Sequence, residues 1–401
     1  MSLPFVLSPY VRAIKTPAGF VIDDGLRGKI ELDDPMRAVV RALWDPAFAG
    51  RELSRVRATL GPAETTAAVE RLKRRQVVFD SRQACDGFID MILETHRSNV
   101  PFLDQIELTN ICPFRCQFCP RGISGKMKRP TGKMDLALFE RLLDQASPNQ
   151  ARWRPLELHH LGESLVHEDV DRFVAAATQR GLPTEMSCNP SMLTAELSKR
   201  ILDAGIHRLV ISLDGMDNET SIAIRGPAAR YDKAERNLEA LFAHAATLEK
   251  PPTIVVQMID LHRNRFQRDA FLEKWGKTGL PFVEAYIKDL GGPDPDTGAR
   301  SETPPSYMCG YPWRSVVVLW DGRVVPCCMD ADADLVLGDL NTMTLAEIWA
   351  GAEVRRLREQ LRTNTIPCGH LCDGCPWRRE TYAAAMPKRH PDQAKEEPLH
   401  W

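Results

Sequence analysis

The sequence predicts an α/β protein built on a parallel sheet, with a smaller module before it and a cysteine-rich region after it. Three observations carry that expectation. Between Leu103 and about Asp289, short apolar, β-prone runs alternate with helical patterns, the order that builds parallel βα units. Cys112, Cys116 and Cys119 follow the first of these runs with the spacing C-x3-C-x2-C. Cys309, Cys327, Cys328, Cys368, Cys372 and Cys375 crowd into 67 residues near the C-terminal end.

Each element has its own signal. At the N-terminal end, Tyr10–Asp23 alternates on both sides of a Pro17-Ala18-Gly19 turn and reads as a hairpin. Helical patterns follow at Pro35–Trp44, Arg51–Leu60 and Ala63–Arg75, and Gln76–Asp80 reads as a closing strand. Hairpin, three helices and closing strand make a small winged-helix-like module. In the α/β region, strands are expected at Ile106–Leu108, Leu156–His160, Thr184–Ser187, Arg208–Ser212, Thr253–Met258 and Phe282–Ile287. Helices are expected at Leu136–Gln145, Glu168–Gln179, Ala195–Ala204, Lys233–His244 and Arg268–Thr278. Gly291–Gly298 is a Gly/Pro-rich break, after which Val316–Trp320 and Arg323–Pro326 flank an Asp321-Gly322 hairpin turn.

Composition bounds the function. At 401 residues the chain has room for two or three domains of ~150 residues each. A hydrophobic content of 43% with 26% charged residues is that of a soluble globular protein. The formal net charge of −2 offers no basic stripe for nucleic acid. No apolar run reaches the ~18 residues of a membrane span. The N-terminal residues lack the basic and apolar regions of a signal peptide. Eleven cysteines bunched in two places therefore point to metal rather than disulfides, and to a reducing, cytoplasmic compartment.

Three thiolates can hold three irons of a cubane cluster and leave a fourth iron open, whereas clusters are ordinarily held by four cysteines. Pro113 and Pro120 force Cys112–Cys119 into a loop beyond a strand end. A structural zinc site wants four closed ligands, and no fourth Cys or His follows close by. With Phe118 just before the third cysteine, the segment resembles the hallmark of the radical S-adenosylmethionine (SAM) superfamily. That resemblance implies an incomplete (β/α)6 TIM-type barrel with its active site at the C-terminal strand ends. It implies a 4Fe–4S cluster whose open iron binds SAM, reduced by a flavodoxin- or ferredoxin-type donor, and a deoxyadenosyl radical that removes hydrogen from substrate. It also implies SAM-binding roles for Phe118, for Gly162 and Glu163 after strand two, for Ser187 and Asn189 after strand three, and for Ser212, Asp214 and Arg225 at and beyond strand four. Leu161 stands where the family's Gly-Gly-Glu motif has its first glycine.

The second cysteine set resembles the SPASM or twitch extension of the same superfamily. One auxiliary 4Fe–4S cluster on Cys309, Cys327, Cys372 and Cys375 is expected, with Cys328 and Cys368 as neighbours, although four thiolates suit zinc as well. Cys368, Cys372 and Cys375 repeat the spacing of the first triad, but no strand–helix series follows them. The N-terminal pattern resembles a PqqD-like peptide-recognition domain. The expected division is residues 1–98 for that domain, 99–292 for the barrel, 293–386 for the Fe–S extension and 387–401 for a mobile tail. The substrate is expected to be a ribosomal peptide that is oxidised, cross-linked or epimerised. A sugar, aminocyclitol or other small metabolite is the second candidate, and a zinc-stabilised nucleic-acid- or protein-binding factor the third. No membrane partner is expected. Cys188 is a candidate catalytic hydrogen donor, with packing as its alternative. Gln257, Tyr286 and Lys288 are candidate substrate contacts, and His159, His160 and His167 are either substrate-side or structural. Cys85 is expected to be inert.

Overall fold

The computed structural model describes residues 5–7, 11–16, 19–24, 28–43, 49–81, 83–85, 87–88, 100–123, 127–289, 309–363, 365–373 and 375. The Gly291–Gly298 break and the 387–401 tail lie outside these residues. The chain forms two compact units, one from residues 1–97, 302–313 and 358–401, the other from 98–301 and 314–357.

The first unit begins with strands β1 (Val6–Leu7), β2 (Val11–Thr16), β3 (Gly19–Asp24) and β4 (Gly28–Ile30). Strands β2, β3 and β4 form an antiparallel sheet. Helices α1 (Asp34–Leu43), α2 (Ala49–Leu60) and α3 (Pro62–Arg74) follow, then β5 (Val78–Phe79). Asp33 Oδ1 accepts from the Met36 N–H at 2.9 Å and caps the start of α1. Met36, Val39, Val40 and Leu43 fall on one helical stripe and are buried with Ala68, Val69 and Leu72 of α3. The closing strand expected at Gln76–Asp80 exists as β5, and its partner is β1, which is too short to leave a periodic signal.

The second unit carries strands β6 (Phe102–Ile106), β7 (Leu156–Glu157), β8 (Thr184–Cys188), β9 (Arg208–Ser212), β10 (Thr253–Asp260) and β11 (Val283–Asp289). Its helices are α4 (Leu136–Leu143), α5 (Gln150–Trp153), α6 (Val170–Gln179), α7 (Ala195–Asp203), α8 (Asn218–Arg225), α9 (Tyr231–Ala245) and α10 (Arg268–Trp275). Later in the chain come α11 (Tyr311–Arg314), which falls mostly in the first unit, then β12 (Ser315–Val318), β13 (Arg323–Val325), β14 (Gly338–Asp339), α12 (Leu345–Trp349) and α13 (Ala352–Thr363), which returns to the first unit after Leu357. The sheet runs β11-β10-β9-β8-β7-β6-β12-β13-β14 and is open, with β11 to β12 all parallel. This is the partial barrel the sequence predicts. Its first strand lies earlier than expected, at Phe102–Ile106, and β7 ends at Glu157 because the chain turns into the His159–Ser164 loop.

The hairpin around Asp321-Gly322 forms as β12 and β13. It is not a free-standing extension, because β12 adds to the barrel sheet beside β6. Val316, Val317 and Val318 are fully buried there. Among the described residues no helix is long and apolar enough to cross a membrane.

Registers sort the sheet into two faces. Met186 pairs with Leu209, and Cys188 with Ile211, which pairs in turn with Val256; all are buried. On the other face Glu157 pairs with Glu185, which pairs with Arg208, while Ser212 pairs with Gln257 and Gln257 with Tyr286. The apolar face suits packing under helices. The polar face lines the barrel interior. Cutting Leu156, fully buried on the apolar face, to Ala should cost about 2–5 kcal/mol, seen as a lower denaturant midpoint.

Candidate active site

The cysteine loop is held on three sides, by side-chain bonds at its base and by backbone bonds on the other two. At its base, Asn110 donates to Pro130 O and accepts from the Gly132 N–H, both at 2.9 Å. Arg121 Nε donates to Asn110 O at 2.9 Å. On a second side, Glu163 N–H donates to Ile111 O at 3.0 Å. Gly162 makes this possible: its φ is +122°, and a Cβ there would lie 2.3 Å from Thr109 O. On the third side, the Arg115 N–H bonds Arg225 O at 2.8 Å and the Gln117 N–H bonds Ile224 O at 3.2 Å. The loop is thus sewn to the C-terminal end of α8.

The structure brings Cys112, Cys116 and Cys119 into one apolar patch with Phe114, Phe118 and Ala229. The thiols lie within electrostatic reach of one another, and burial pushes Cys112 up to about 12. Burial also raises Cys116, against the pull of Arg225. Among the described residues no three Cys, His, Asp or Glu side chains converge on a point that one ion would fill. Three thiols around a shared apolar volume fit a multi-iron cluster with one open iron.

Beside the thiols lies a small pocket lined by Asn189, Ser191, Ser212, Asp214, Arg225 and Tyr231, among others. Arg225 Nε donates to Asp214 Oδ2 at 2.6 Å, and its Nη1 reaches Cys116 Sγ at 3.6 Å. Its guanidinium also lies over the Phe118 ring, 5.4 Å from the centroid. Burial disfavours this charge, but Asp214 and Cys116 outweigh it and raise the Arg225 pKa. Asp214 is itself fixed by the Ile259 N–H at 2.8 Å. Ser187 and Ser212 hydroxyls stand 3.4 Å apart. Glu163 accepts from the Leu165 N–H at 3.2 Å and the Asn189 N–H at 2.8 Å, and burial pushes its carboxyl up to about 7. Its two backbone bonds leave lone pairs for a ligand ammonium.

Not every expected residue faces this pocket. Cys188 shares a strand face with Thr184 and Met186, opposite Ser187, and burial raises its thiol well above the ordinary value. That face is core, which favours packing for Cys188. His167 donates Nε2–H to Met134 O at 3.0 Å, accepts from the Asp169 N–H at 3.2 Å and meets Phe173 edge-on, so it is structural.

His159 Nδ1 accepts from the Ser187 N–H at 3.2 Å, leaving Nε2–H towards Glu157, 3.6 Å away. Gln105 donates to Glu157 at 2.7 Å, so its oxygen accepts from His160 Nδ1–H at 2.9 Å. Tyr286 O–H donates to Gln257. Sequence reasoning missed Asn110, Gln105 and Glu157, whose roles depend on partners distant in the chain.

Residues 106–255 match the Radical SAM superfamily, and residues 309–376 match the SPASM iron-sulfur cluster-binding domain. The chain carries a radical SAM domain and a SPASM domain. Its cofactors are a SAM-binding 4Fe–4S cluster, SAM and auxiliary iron–sulfur in the SPASM region. Among relatives, the S-adenosyl-L-methionine-dependent 2-deoxy-scyllo-inosamine dehydrogenase of Niallia circulans is 21% identical over 68% of this chain and 91% of its own. The PqqA peptide cyclase of Granulibacter bethesdensis is 22% identical over 61% of this chain and 73% of its own. Among solved structures, Streptococcus suis SuiB bound to the precursor peptide SuiA aligns with a TM-score of 0.48 at 13% identity, covering 87% and 89% of the two chains.

In this radical SAM chain the first triad, Gly162 and the Asp214–Arg225 pair are one connected assembly. Gly162→Ala should cost at least ~1–3 kcal/mol in strain and weaken both iron retention and SAM binding, measured by iron assay and calorimetry. Acid should also loosen the barrel. Burial lowers His159 to about 4 and His160 to about 3, below the ordinary ~6.5. The unfolded chain therefore takes up protons first, and stability falls as pH drops from about 6.5 towards 4. Glu163 opposes this trend, because its raised carboxyl keeps a proton that the unfolded chain releases between about 4.5 and 7. Urea midpoints at pH 7 and pH 5 for wild type and His160→Gln isolate the histidine share: the variant should lose less on acidification.

Proposed function

We propose that this chain oxidises, cross-links or epimerises a ribosomal peptide in natural-product biosynthesis, beginning with hydrogen abstraction from an unactivated C–H bond. The observation that carries the reading is the three-thiol loop held against the Asp214–Arg225 pocket. When bound, the cluster and SAM supply a deoxyadenosyl radical that removes a hydrogen atom.

This chain's residues bind and orient. Cys112, Cys116 and Cys119 hold the cluster, and Arg225, kept charged by Asp214, sits where a SAM carboxylate would pair with it. Phe118 braces that arginine. Glu163 and the backbone around Gly162 accept from the methionyl ammonium, and Ser187, Asn189 and Ser212 offer partners for the ribose. The polar interior face, with His159, Gln257, Tyr286 and Lys288, receives the substrate.

Residues 1–98 are read as the PqqD-like module that recognises a peptide, residues 99–292 as the catalytic barrel and 293–386 as the auxiliary Fe–S region, with a tail at 387–401. Cys309, Cys327, Cys372 and Cys375 are read as ligands of one auxiliary 4Fe–4S cluster. A flavodoxin- or ferredoxin-type protein in the cytoplasm supplies the electron. The peptide cyclase relative supports the peptide substrate. The dehydrogenase relative, matched over 91% of its length, supports the second reading, dehydrogenation of an aminocyclitol or related small metabolite.

Replacing Cys112, Cys116 and Cys119 together by Ala should abolish reductive SAM cleavage while auxiliary iron remains; cleavage retained by the variant would remove the triad from the chemistry. Cys188→Ala separates the two roles of that thiol. A lower melting temperature with unchanged SAM cleavage and turnover fits packing, whereas cleavage without turnover in a stable protein identifies a hydrogen donor.

A further inference from the structure

The segment that carries the first cysteine triad has a charge unlike that of the chain around it. The whole chain holds 52 Lys and Arg against 54 Asp and Glu, yet residues 108–134 hold six Lys or Arg and no Asp or Glu. Two of the six are neutralised by carboxylates from outside the run: Arg129 pairs with buried Glu107, and Lys133 with Glu168. Arg121 spends its Nε–H on Asn110 O. Lys126 lies outside the described residues. Lys128 is exposed beside Asp332, whose carboxylate accepts its backbone N–H at 2.6 Å. Arg115 is different. It is exposed, stands between Cys112 and Cys116, and makes no ion pair among the described residues.

The loop folds so that Arg115 lies between two glycines. On one side, a Cβ on Gly226 would stand 3.0 Å from the Arg115 Cβ. On the other, Gly122 backs onto the same stretch, where a Cβ would be 2.4 Å from Cys116 O and 2.8 Å from the Arg115 carbonyl carbon. The Gly122 and Ile123 N–H groups both bond Cys119 O, at 2.9 and 3.1 Å. Arg115 and Ile123 therefore share the outer surface of the segment that carries Cys116 and Cys119. Ile123 is 37% exposed, and Pro113 is exposed as well. They put apolar surface beside a positive charge, the mixture of a protein-docking patch.

We propose that this face, Arg115 with Pro113 and Ile123 beside it, docks an acidic one-electron donor protein of the flavodoxin or ferredoxin class. The proposal rests on the reading of Cys112, Cys116 and Cys119 as cluster ligands. A positive face on a chain of net negative charge steers an acidic partner to one place. One exposed arginine with apolar neighbours suits a protein; a nucleic-acid backbone would call for a row of cations. Arg115 is bonded directly to Cys116, so a donor docked there sits one residue from a cluster ligand. One electron passes: the donor loses it, the cluster gains it, and no atom crosses the face.

The test uses the reconstituted holoenzyme and an acidic bacterial flavodoxin. Calorimetry reads affinity at low salt and at about 1 M salt, where the screening length falls to about 3 Å. Arg115→Glu reverses the charge and keeps the backbone bond to Arg225 O. At equal iron content its low-salt affinity should fall about tenfold or more, with Arg115→Gln in between, and the gap should close at high salt. Ile123→Ser should weaken binding at both salt levels. Lys277→Glu makes the same charge change at an exposed lysine ahead of β11, at the opposite end of the parallel strands, and should bind like wild type. Unaltered low-salt affinity in Arg115→Glu, an equal loss in Lys277→Glu, or a loss that persists undiminished at high salt would overturn the docking face. Dithionite needs no docking, so SAM cleavage by wild type with dithionite reports on the triad separately. Absent cleavage there sinks the cluster reading, whereas intact cleavage with unaltered Arg115→Glu binding sinks the face alone.

Discussion

A parallel sheet that must be apolar on one face and polar on the other is the constraint on which this structure depends. Leu156, Met186, Leu209, Ile211 and Val256 can be covered only by helices, which sends each crossover to one side. The opposite face then has to satisfy Glu157, Glu185 and Arg208 by pairing across strands, as in the 2.7 Å Arg208–Glu185 bridge. The result is an interior rich in fixed dipoles and held charges. Such an interior can orient a polar substrate, and its shape leaves the C-terminal strand ends as the place where loops converge.

At that end, the cysteine loop is held by main-chain contact as well as by its own side chains. Gly162 lets one neighbouring loop touch Thr109, and Gly226 lets α8 end beside Arg115, where a Cβ would stand 3.0 Å from the arginine side chain. Both glycines have positive φ. Close main-chain approach places Arg225 by covalent geometry, since it is the residue just before Gly226. The ion pair with Asp214 then needs no loop rearrangement to form.

The sequence made the fold legible wherever a local signal existed. Arg208–Ser212 was expected as a strand and is β9 residue for residue, because the apolar run Leu209–Ile211 sits between clear turns. The cysteine triad stood out by its spacing, and the family resemblance then singled out Asp214 and Arg225, which the structure places together. Long-range pairings were not. Glu107 and Arg129 are 22 residues apart, and each looks like an ordinary surface charge in isolation. The attachment of β12 to β6 was hidden for the same reason: a valine run states that a strand is buried, not which strand it joins. The short β7 was over-read because Leu158 continues its apolar pattern while the chain is already turning.

Spacing shows the limit most sharply. Cys112–Cys119 and Cys368–Cys375 carry the same C-x3-C-x2-C pattern, so spacing cannot distinguish an open cluster site from a closed one. What distinguishes the first is a buried guanidinium 3.6 Å from the Cys116 sulfur and tied to Asp214. On the function proposed here, a cation there would offset the negative charge of a thiolate-bound cluster and could also pair with a ligand carboxylate. That arginine comes from a separate strand–helix unit, 109 residues beyond the cysteine it touches. The barrel thus supplies side chains to the surroundings of the first triad that its spacing alone does not encode.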